Sequence, residues 1–137
     1  MRFFIATIVI TLASLSSCNH QPDTSKLKKA LIQTDRSFSA RSEKVGNNKA
    51  FIEFAATEAV LLKKNHYPIV GKREIKDHLN SQPDSSYTLT WKPSYARVAE
   101  SGDLGYTFGI YTLTTHKQKK KVFHGTYVTI WERNKTG

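Results

Sequence analysis

The feature that most constrains the fold is a change of hydrophobic period near residue 87. Apolar and polar side chains alternate from Tyr87 to Trp91, and a period of two returns in 105–114 and 122–131. Such alternation is typical of β-strands, because successive side chains point to opposite faces of a sheet. Turn-like sequences separate these segments, so the second half of the chain is predicted to form a three-stranded antiparallel meander.

The segments before residue 87 follow a helical period instead. A helix is predicted over 25–45, where five residues recur near one face: Leu27, Leu31, Thr34, Phe38 and Val45. Shorter helices are predicted over 49–55 and 72–79, with a brief buried strand at 59–62 between them. Helices followed by a meander indicate an α+β fold, and 137 residues suffice for a single domain with one core.

Two of the predicted strands are apolar on both faces. The segment 105–114 carries Tyr106, Phe108 and Ile110 on one face, and Tyr111 and Leu113 on the other. A sheet with one solvated face is polar at alternate residues, so the second face is expected to be covered. A homodimer is predicted, because a second copy of the chain is the simplest cover. The alternative is that Tyr and Thr tolerate solvent and that the helices wrap further around the sheet.

The N-terminus is typical of a bacterial export signal. The basic residue Arg2 precedes an apolar run over 3–13, and small residues follow. As a helix the run would span about 16 Å, half the hydrocarbon core of a bilayer, which is too short for a transmembrane span. The segment Leu15-Ser16-Ser17-Cys18 resembles the bacterial lipobox.

The lipobox resemblance implies that residues 1–17 are removed and that the sulfur of Cys18 carries a diacylglycerol. Residues 18–25 are polar and predict a tether, and 26–137 form the domain. The expected location is therefore the bacterial cell envelope, where a lipid anchor holds the protein on a membrane and the domain faces the periplasm. The alternative is an ordinary signal peptide with an incidental cysteine.

The chain is strongly basic, with a formal net charge of +10 at pH 7. Such a charge attracts nucleic acid or anionic membranes. Nucleic acid is not expected as a partner, because no recognition motif for it occurs and an exported, anchored protein seldom meets it. Lys26, Lys28 and Lys29 follow the tether and are either drawn to anionic lipid or form the solvated face of a helix. The lysine-rich run 117–121 is predicted to be a solvated hairpin turn.

Four segments of the sequence resemble the motifs of one family, and they occur in the same order. They are 51–62 (FIEFAATEAVLL), 70–75 (VGKREI), 101–109 (SGDLGYTFG) and 125–131 (GTYVTIW). Together they resemble the SnoaL-like branch of the nuclear transport factor 2-like superfamily, in a subgroup of unassigned function. The resemblance implies a cystatin-like cone: a curved antiparallel sheet wrapped around three N-terminal helices, with a pocket at the open end. It also implies homodimers packed through the sheet.

One departure from the family pattern concerns the C-terminus. The pattern continues after Trp131 into a final strand, whereas this sequence stops at Gly137. The resemblance therefore implies either a truncated chain or a cone without that edge strand.

The resemblance leaves the activity open, because this fold hosts isomerases, dehydratases, epoxide hydrolases and non-catalytic binding modules. A ketosteroid isomerase needs a carboxylate base after the first short strand, and the segment 61–65 (LLKKN) has none. The candidate pocket residues are polar or aromatic: Asp35, Phe38, Phe54, His66, Trp91, Tyr106 and Trp131. No catalytic residue is assigned. Metal-ligand spacings such as H-E-x-x-H do not occur, so neither a metal nor another cofactor is expected.

The function expected from these observations is that of a lipid-anchored envelope protein whose cone-shaped pocket binds a small apolar or amphipathic molecule. One alternative is an uncharacterised enzyme of the isomerase, dehydratase or hydrolase type. A second alternative is a dimerisation module that takes no ligand.

Overall fold

The computed structural model describes residues 22–116 and 119–133. Its elements are α1 (Thr24–Val45), α2 (Asn47–Phe54), β1 (Val60–Leu61), β2 (Ile69–Val70), α3 (Lys72–Asn80), β3 (Tyr87–Val98), β4 (Leu104–Thr115) and β5 (Val122–Glu132). β1 and β2 form a small antiparallel pair, and β3, β4 and β5 form an antiparallel sheet in that order. The predicted α+β fold, with three helices ahead of a three-stranded meander, is confirmed.

The N-terminal part of the predicted organisation is outside the described residues. This applies to the predicted signal peptide, to Cys18 and to the rest of the first half of the tether, up to residue 21. Among the helices that the structure does describe, none is both long enough and apolar enough to cross a membrane.

Helix α1 begins earlier than the sequence predicts. Its N-cap is Asp23, whose carboxylate accepts hydrogen bonds from the backbone N–H groups of Ser25 (3.0 Å) and Lys26 (3.3 Å). Such a cap satisfies donors that have no partner inside the helix. The helix therefore includes the last two residues of the predicted tether, 18–25.

Helix α2 is capped from a distant loop rather than by its own first residues. The carboxylate of Asp84, in the loop before β3, accepts a hydrogen bond of 2.6 Å from the backbone N–H of Asn48. The Asn48 side chain in turn donates to the carbonyl of Leu79 at 2.8 Å. These contacts tie α2 to the end of α3 and to the loop that follows it.

The strand register defines two faces of the sheet. The inner face, which α1 contacts, carries Trp91 of β3, Thr107 of β4 and Tyr127 of β5. The outer face carries Phe108 and its cross-strand partner Val128, and both are exposed. The grouping of side chains predicted from alternation is confirmed. In the single chain the outer face remains uncovered.

Strand β3 contains a bulge. Its register against β4 shifts between Pro93 and Tyr95, so Ser94 is an extra residue with no partner opposite. Gly109 lies opposite Pro93, and a Cβ there would collide with the backbone of Lys92. Only glycine allows this close approach of the two strands.

Two serines of α1 bind the backbone of β3 on the side away from β4. The buried Ser39 hydroxyl accepts from the Trp91 backbone N–H at 2.8 Å, and the Ser42 hydroxyl donates to the Leu89 carbonyl at 2.7 Å. A buried backbone group without a hydrogen-bond partner costs about 1–3 kcal/mol of stability. The two hydroxyls provide the partners that a neighbouring strand would otherwise provide. The buried face of α1 therefore includes polar residues, whereas Thr34, which the helical period assigned to that face, is exposed.

Candidate functional site

Aromatic rings fill the space between the helices and the inner face of the sheet. Phe38 of α1 is 6% exposed and lies at the centre. Its ring centroid is 4.5–4.9 Å from three other rings, those of Phe51, Phe54 and Trp91, and 6.3 Å from that of Trp131. We call these five residues the aromatic cluster. Rings at such separations stabilise one another beyond their burial.

A buried carboxylate lies beside this cluster, on α1 one turn before Phe38. Asp35 is fully buried, with 0% of its surface exposed. Its Oδ1 accepts a hydrogen bond from the indole N–H of Trp91 at 2.7 Å, and its Oδ2 accepts one from the Tyr127 hydroxyl at 2.7 Å. Burying a carboxylate is costly unless its oxygens are hydrogen-bonded, and here both are.

The two donors come from opposite edges of the described sheet. Trp91 belongs to β3 and Tyr127 to β5, with β4 between them. Asp35 therefore connects α1 to both edge strands through one functional group. The indole N–H of the other inner tryptophan, Trp131, donates to the buried Thr107 hydroxyl at 2.9 Å.

The proton of Tyr127 is committed to Asp35. Burial is the main cause that raises the pKa of Tyr127 far above its usual range, and the hydrogen bond to Asp35 and its charge add to the effect. The phenol therefore stays protonated, and it donates to the carboxylate instead of to a ligand. Its oxygen keeps free lone pairs and remains able to accept a hydrogen bond.

The structure brings together five of the residues that the sequence proposed for a pocket: Asp35, Phe38, Phe54, Trp91 and Trp131. Two further members of this group, Phe51 and Tyr127, were not among the candidates. Alternation already contained the signal for Tyr127, because it is four residues from Trp131 in one strand and so shares its face.

The other two candidates lie elsewhere. Tyr106 is on the outer face, opposite Ile130. It directly precedes Thr107, which points inward, and neighbouring residues in a strand point to opposite faces of the sheet. His66 lies in the turn between β1 and β2, where its Nδ1 is 2.6 Å from the Tyr67 carbonyl oxygen. The structure therefore separates both residues from the aromatic cluster.

His66 belongs instead to a small basic group at the surface. Its ring is 4.8 Å from that of His78 in α3, and the Lys63 ammonium is 3.1 Å from Nε2 of His78. Burial is the first cause that lowers the pKa of His78, followed by the charges of Lys63 and His66. A neutral His78 accepts the hydrogen bond that Lys63 donates. In the described ranges, no three His, Cys, Asp or Glu residues are grouped so that they could hold a metal ion.

Two open grooves lie on the surface, away from the aromatic cluster. The first, of about 470 Å³, runs between α1 and the bulge of β3, and we call it the basic groove. It is lined by Lys28, Lys29, Ile32, Gln33, Arg36 and residues 94–96. The second, of about 430 Å³, is rich in threonine and lies at the other end of the sheet, where it includes Thr88, Thr114 and His116.

Comparison with known proteins identifies the fold. No protein-family model matches the sequence, and no curated protein matches it. A ketosteroid isomerase-like protein from Erwinia carotovora atroseptica superposes with a TM-score of 0.61 over 79% of this chain and 85% of that chain, at 16% identity. An LEH-like epoxide hydrolase from M. tuberculosis superposes with a TM-score of 0.52 over 83% and 74%, at 13% identity.

A third similar structure, from Xanthomonas campestris, is described as a calcium/calmodulin dependent protein kinase II association domain. It superposes with a TM-score of 0.55 over 78% of this chain and 75% of that chain, at 17% identity. Together with the three helices and the antiparallel sheet, these similarities define the class: the chain has the nuclear transport factor 2-like fold. At such low identity they show the fold alone, because this fold hosts unrelated functions.

The structure predicts unequal effects for two substitutions of Asp35. Asp35→Ala leaves the Trp91 N–H and the Tyr127 hydroxyl without an acceptor, so we expect a loss of about 2–5 kcal/mol in the free energy of unfolding. Asp35→Asn keeps an oxygen for Trp91, and its amide can donate to the Tyr127 oxygen, so the loss should stay below about 1.5 kcal/mol. Urea denaturation followed by circular dichroism measures both values.

The exposed Ser37→Ala change on the same helix is the matched control, and it should leave the free energy of unfolding within about 0.5 kcal/mol of wild type. Equal stabilities of Asp35→Ala and Ser37→Ala would show that the carboxylate does not hold the strands.

Proposed function

We propose that this protein is a lipid-anchored binding protein of the bacterial envelope, whose cone takes up a small amphipathic molecule with a hydrogen-bond donor. The proposal rests on one observation: the buried Asp35 accepts hydrogen bonds from both the Trp91 indole N–H and the Tyr127 hydroxyl, so neither proton is free for a ligand. Because Asp35 is itself enclosed, the site offers a ligand aromatic rings and one acceptor, the oxygen of Tyr127. The four sequence segments that resemble the family's motifs support placing the protein in the SnoaL-like branch of its superfamily.

The ligand would lie on the part of the inner face that the helices cover least. There Leu89, Tyr111 and Leu113 are only half-buried, and Phe123 is exposed. We call these four residues the open end. Apolar surface buried against them contributes about 25 cal/mol per Å². Gly125 leaves room for the Tyr111 ring, because a Cβ there would lie 2.5 Å from that ring.

An enzymatic function is the alternative, and a buried carboxylate in an apolar interior is one of its marks. General base catalysis requires the base to reach the proton that is transferred. Here Asp35 is fully enclosed, so a substrate would first have to displace Trp91 or Tyr127. The proton of Tyr127 is also unavailable to an oxyanion. Both facts favour binding over catalysis.

The proposed ligand chemistry predicts a preference that one substitution reverses. We expect the wild-type protein to bind 2-naphthol, a donor, about fivefold more tightly than 2-acetonaphthone, which only accepts, because one hydrogen bond is worth about 1 kcal/mol. In Asp35→Asn the new amide donates to the Tyr127 oxygen, which releases the phenol proton toward the ligand. This variant should therefore prefer 2-acetonaphthone. Quenching of tryptophan fluorescence measures both affinities.

Tyr106→Phe on the outer face serves as the control and should keep the wild-type preference. If neither naphthalene bound, or if the order of the two were the same in wild type and Asp35→Asn, the proposed role of the Asp35 site would be wrong.

Lipid anchoring rests on the sequence Leu15-Ser16-Ser17-Cys18 after a short apolar run. We expect mass spectrometry of the mature N-terminus to find cleavage before Cys18 and acyl chains on it. Cys18→Ala should abolish lipidation, whereas Ser16→Ala, which keeps a small residue, should preserve it. A mature N-terminus at another residue, without lipid, would contradict the proposed anchor.

A homodimer through the outer face is part of the same proposal. Eight large hydrophobic side chains are exposed there, more than a monomer commonly leaves in one place: Tyr95, Leu104, Tyr106, Phe108, Ile110, Val122, Val128 and Ile130. The superposing protein described as an association domain has the same fold. A facing copy would remove this surface from water.

Light scattering tests the dimer. The wild type should have about twice the monomer mass, and Val128→Glu should shift it toward monomer, because the apolar interface would then have to bury a charge. Leu62→Glu is the matched control: Leu62 is 74% exposed and Val128 is 65% exposed, but Leu62 lies outside the sheet. A monomeric wild type at micromolar concentration, or equal behaviour of the two variants, would refute the interface.

A further inference from the structure

We propose that the basic groove binds the phosphate headgroup of an anionic phospholipid in the membrane that carries the protein. The groove runs between α1 and the bulge of β3 and has a volume of about 470 Å³. This volume falls in the range of about 300–1,000 Å³ that is usual for small-molecule sites.

The charge of the groove has one sign. Lys28, Lys29 and Arg36 line it, and no carboxylate does. Lys29 is one residue and Arg36 eight residues beyond Lys28, and in a helix with 3.6 residues per turn these spacings place all three on one side. The acidic neighbour of Arg36, Asp35, points inward to Trp91 and does not neutralise them.

The ion pairs found among residues 22–116 and 119–133 use other basic side chains: Lys26, Arg41 and Arg73. The three cations of the groove are exposed and are left available to an anion.

The groove also has an apolar floor. Ile32 of α1 is half-buried and Ala96 of β3 is buried, and both line the groove together with the basic residues. A glycerophospholipid combines an anionic phosphate with apolar chains. Cations beside an apolar floor match that combination better than they match a free inorganic anion.

The place of the groove in the chain favours a membrane lipid as the occupant. Helix α1 starts at Thr24, six residues after Cys18, and six extended residues span at most about 20 Å. Lys28 and Lys29 follow in the second turn. An anchor at Cys18 would thus hold the groove near the headgroups. This step rests on the proposed lipidation, so the experiment is designed to work without it.

The experiment uses the mature chain from residue 18, with Cys18→Ser so that no lipid is attached. All described elements lie in this chain. We expect it to sediment with phosphatidylcholine vesicles only when phosphatidylglycerol is included. Each basic residue near an anionic surface contributes about fivefold to binding, so the triple variant Lys28→Gln/Lys29→Gln/Arg36→Gln should lose on the order of a hundredfold.

The matched control removes the same charge elsewhere. The variant Lys119→Gln/Lys120→Gln/Lys121→Gln alters three exposed lysines next to β5, and it should lose less than about fivefold, the effect of one residue. A second measurement locates the site: short-chain phosphatidylglycerol added to the labelled protein should shift the amide resonances of Ser94 and Ala96. Those of 119–121 should not move.

Several results would overturn the proposal. Equal losses in the two triple variants would mean that net charge alone attracts the vesicles. Wild-type protein that does not bind phosphatidylglycerol vesicles would exclude the lipid. Shifts of the Ser94 and Ala96 amide resonances on addition of inorganic phosphate, without any vesicle binding, would indicate a free anion instead. Binding of poly-glutamate but not of vesicles would indicate an acidic peptide. None of these results depends on whether Cys18 is lipidated, which mass spectrometry decides separately.

Discussion

The buried carboxylate of Asp35 is the interaction on which the arrangement of this protein depends. It accepts one hydrogen bond from Trp91 in β3 and one from Tyr127 in β5, and so joins α1 to both edges of the described sheet. A charge in an apolar interior is tolerated only where such donors surround it. These bonds, with those of Ser39 and Ser42 to β3, hold α1 across the sheet and beside the aromatic cluster around Phe38.

The same two hydrogen bonds determine the chemistry that the interior can offer. Many sites stabilise a carbonyl or an oxyanion with a donor from a tyrosine. Here that donor is used within the protein, and the raised pKa of Tyr127 keeps its proton in place. The Tyr127 proton is therefore used within the protein, although structures with the same fold include proteins described as isomerase-like and as an epoxide hydrolase.

The surface divides into regions of different character. The outer face of the sheet is apolar and exposed, as at Ile130, which is 72% exposed, and it suits a second copy of the chain. The basic groove lies at the edge of the same sheet, beside the bulge at Ser94, and carries charge. Tyr95 belongs to both regions, so the proposed dimer interface and the proposed lipid site adjoin each other.

Hydrophobic period is a local property of the chain, so it predicts the three helices, the first short strand, the three strands of the sheet and the faces of those strands. The short strand β2 is not among its predictions. Predicted and observed bounds differ by at most one residue at either end for α1, β4 and β5. Tertiary structure decided which residues meet. Trp91 is 56 residues and Tyr127 is 92 residues from Asp35, and the cap of α2 comes from Asp84, 36 residues beyond Asn48. Periodicity records no such partners, because they depend on how a helix is laid across a sheet.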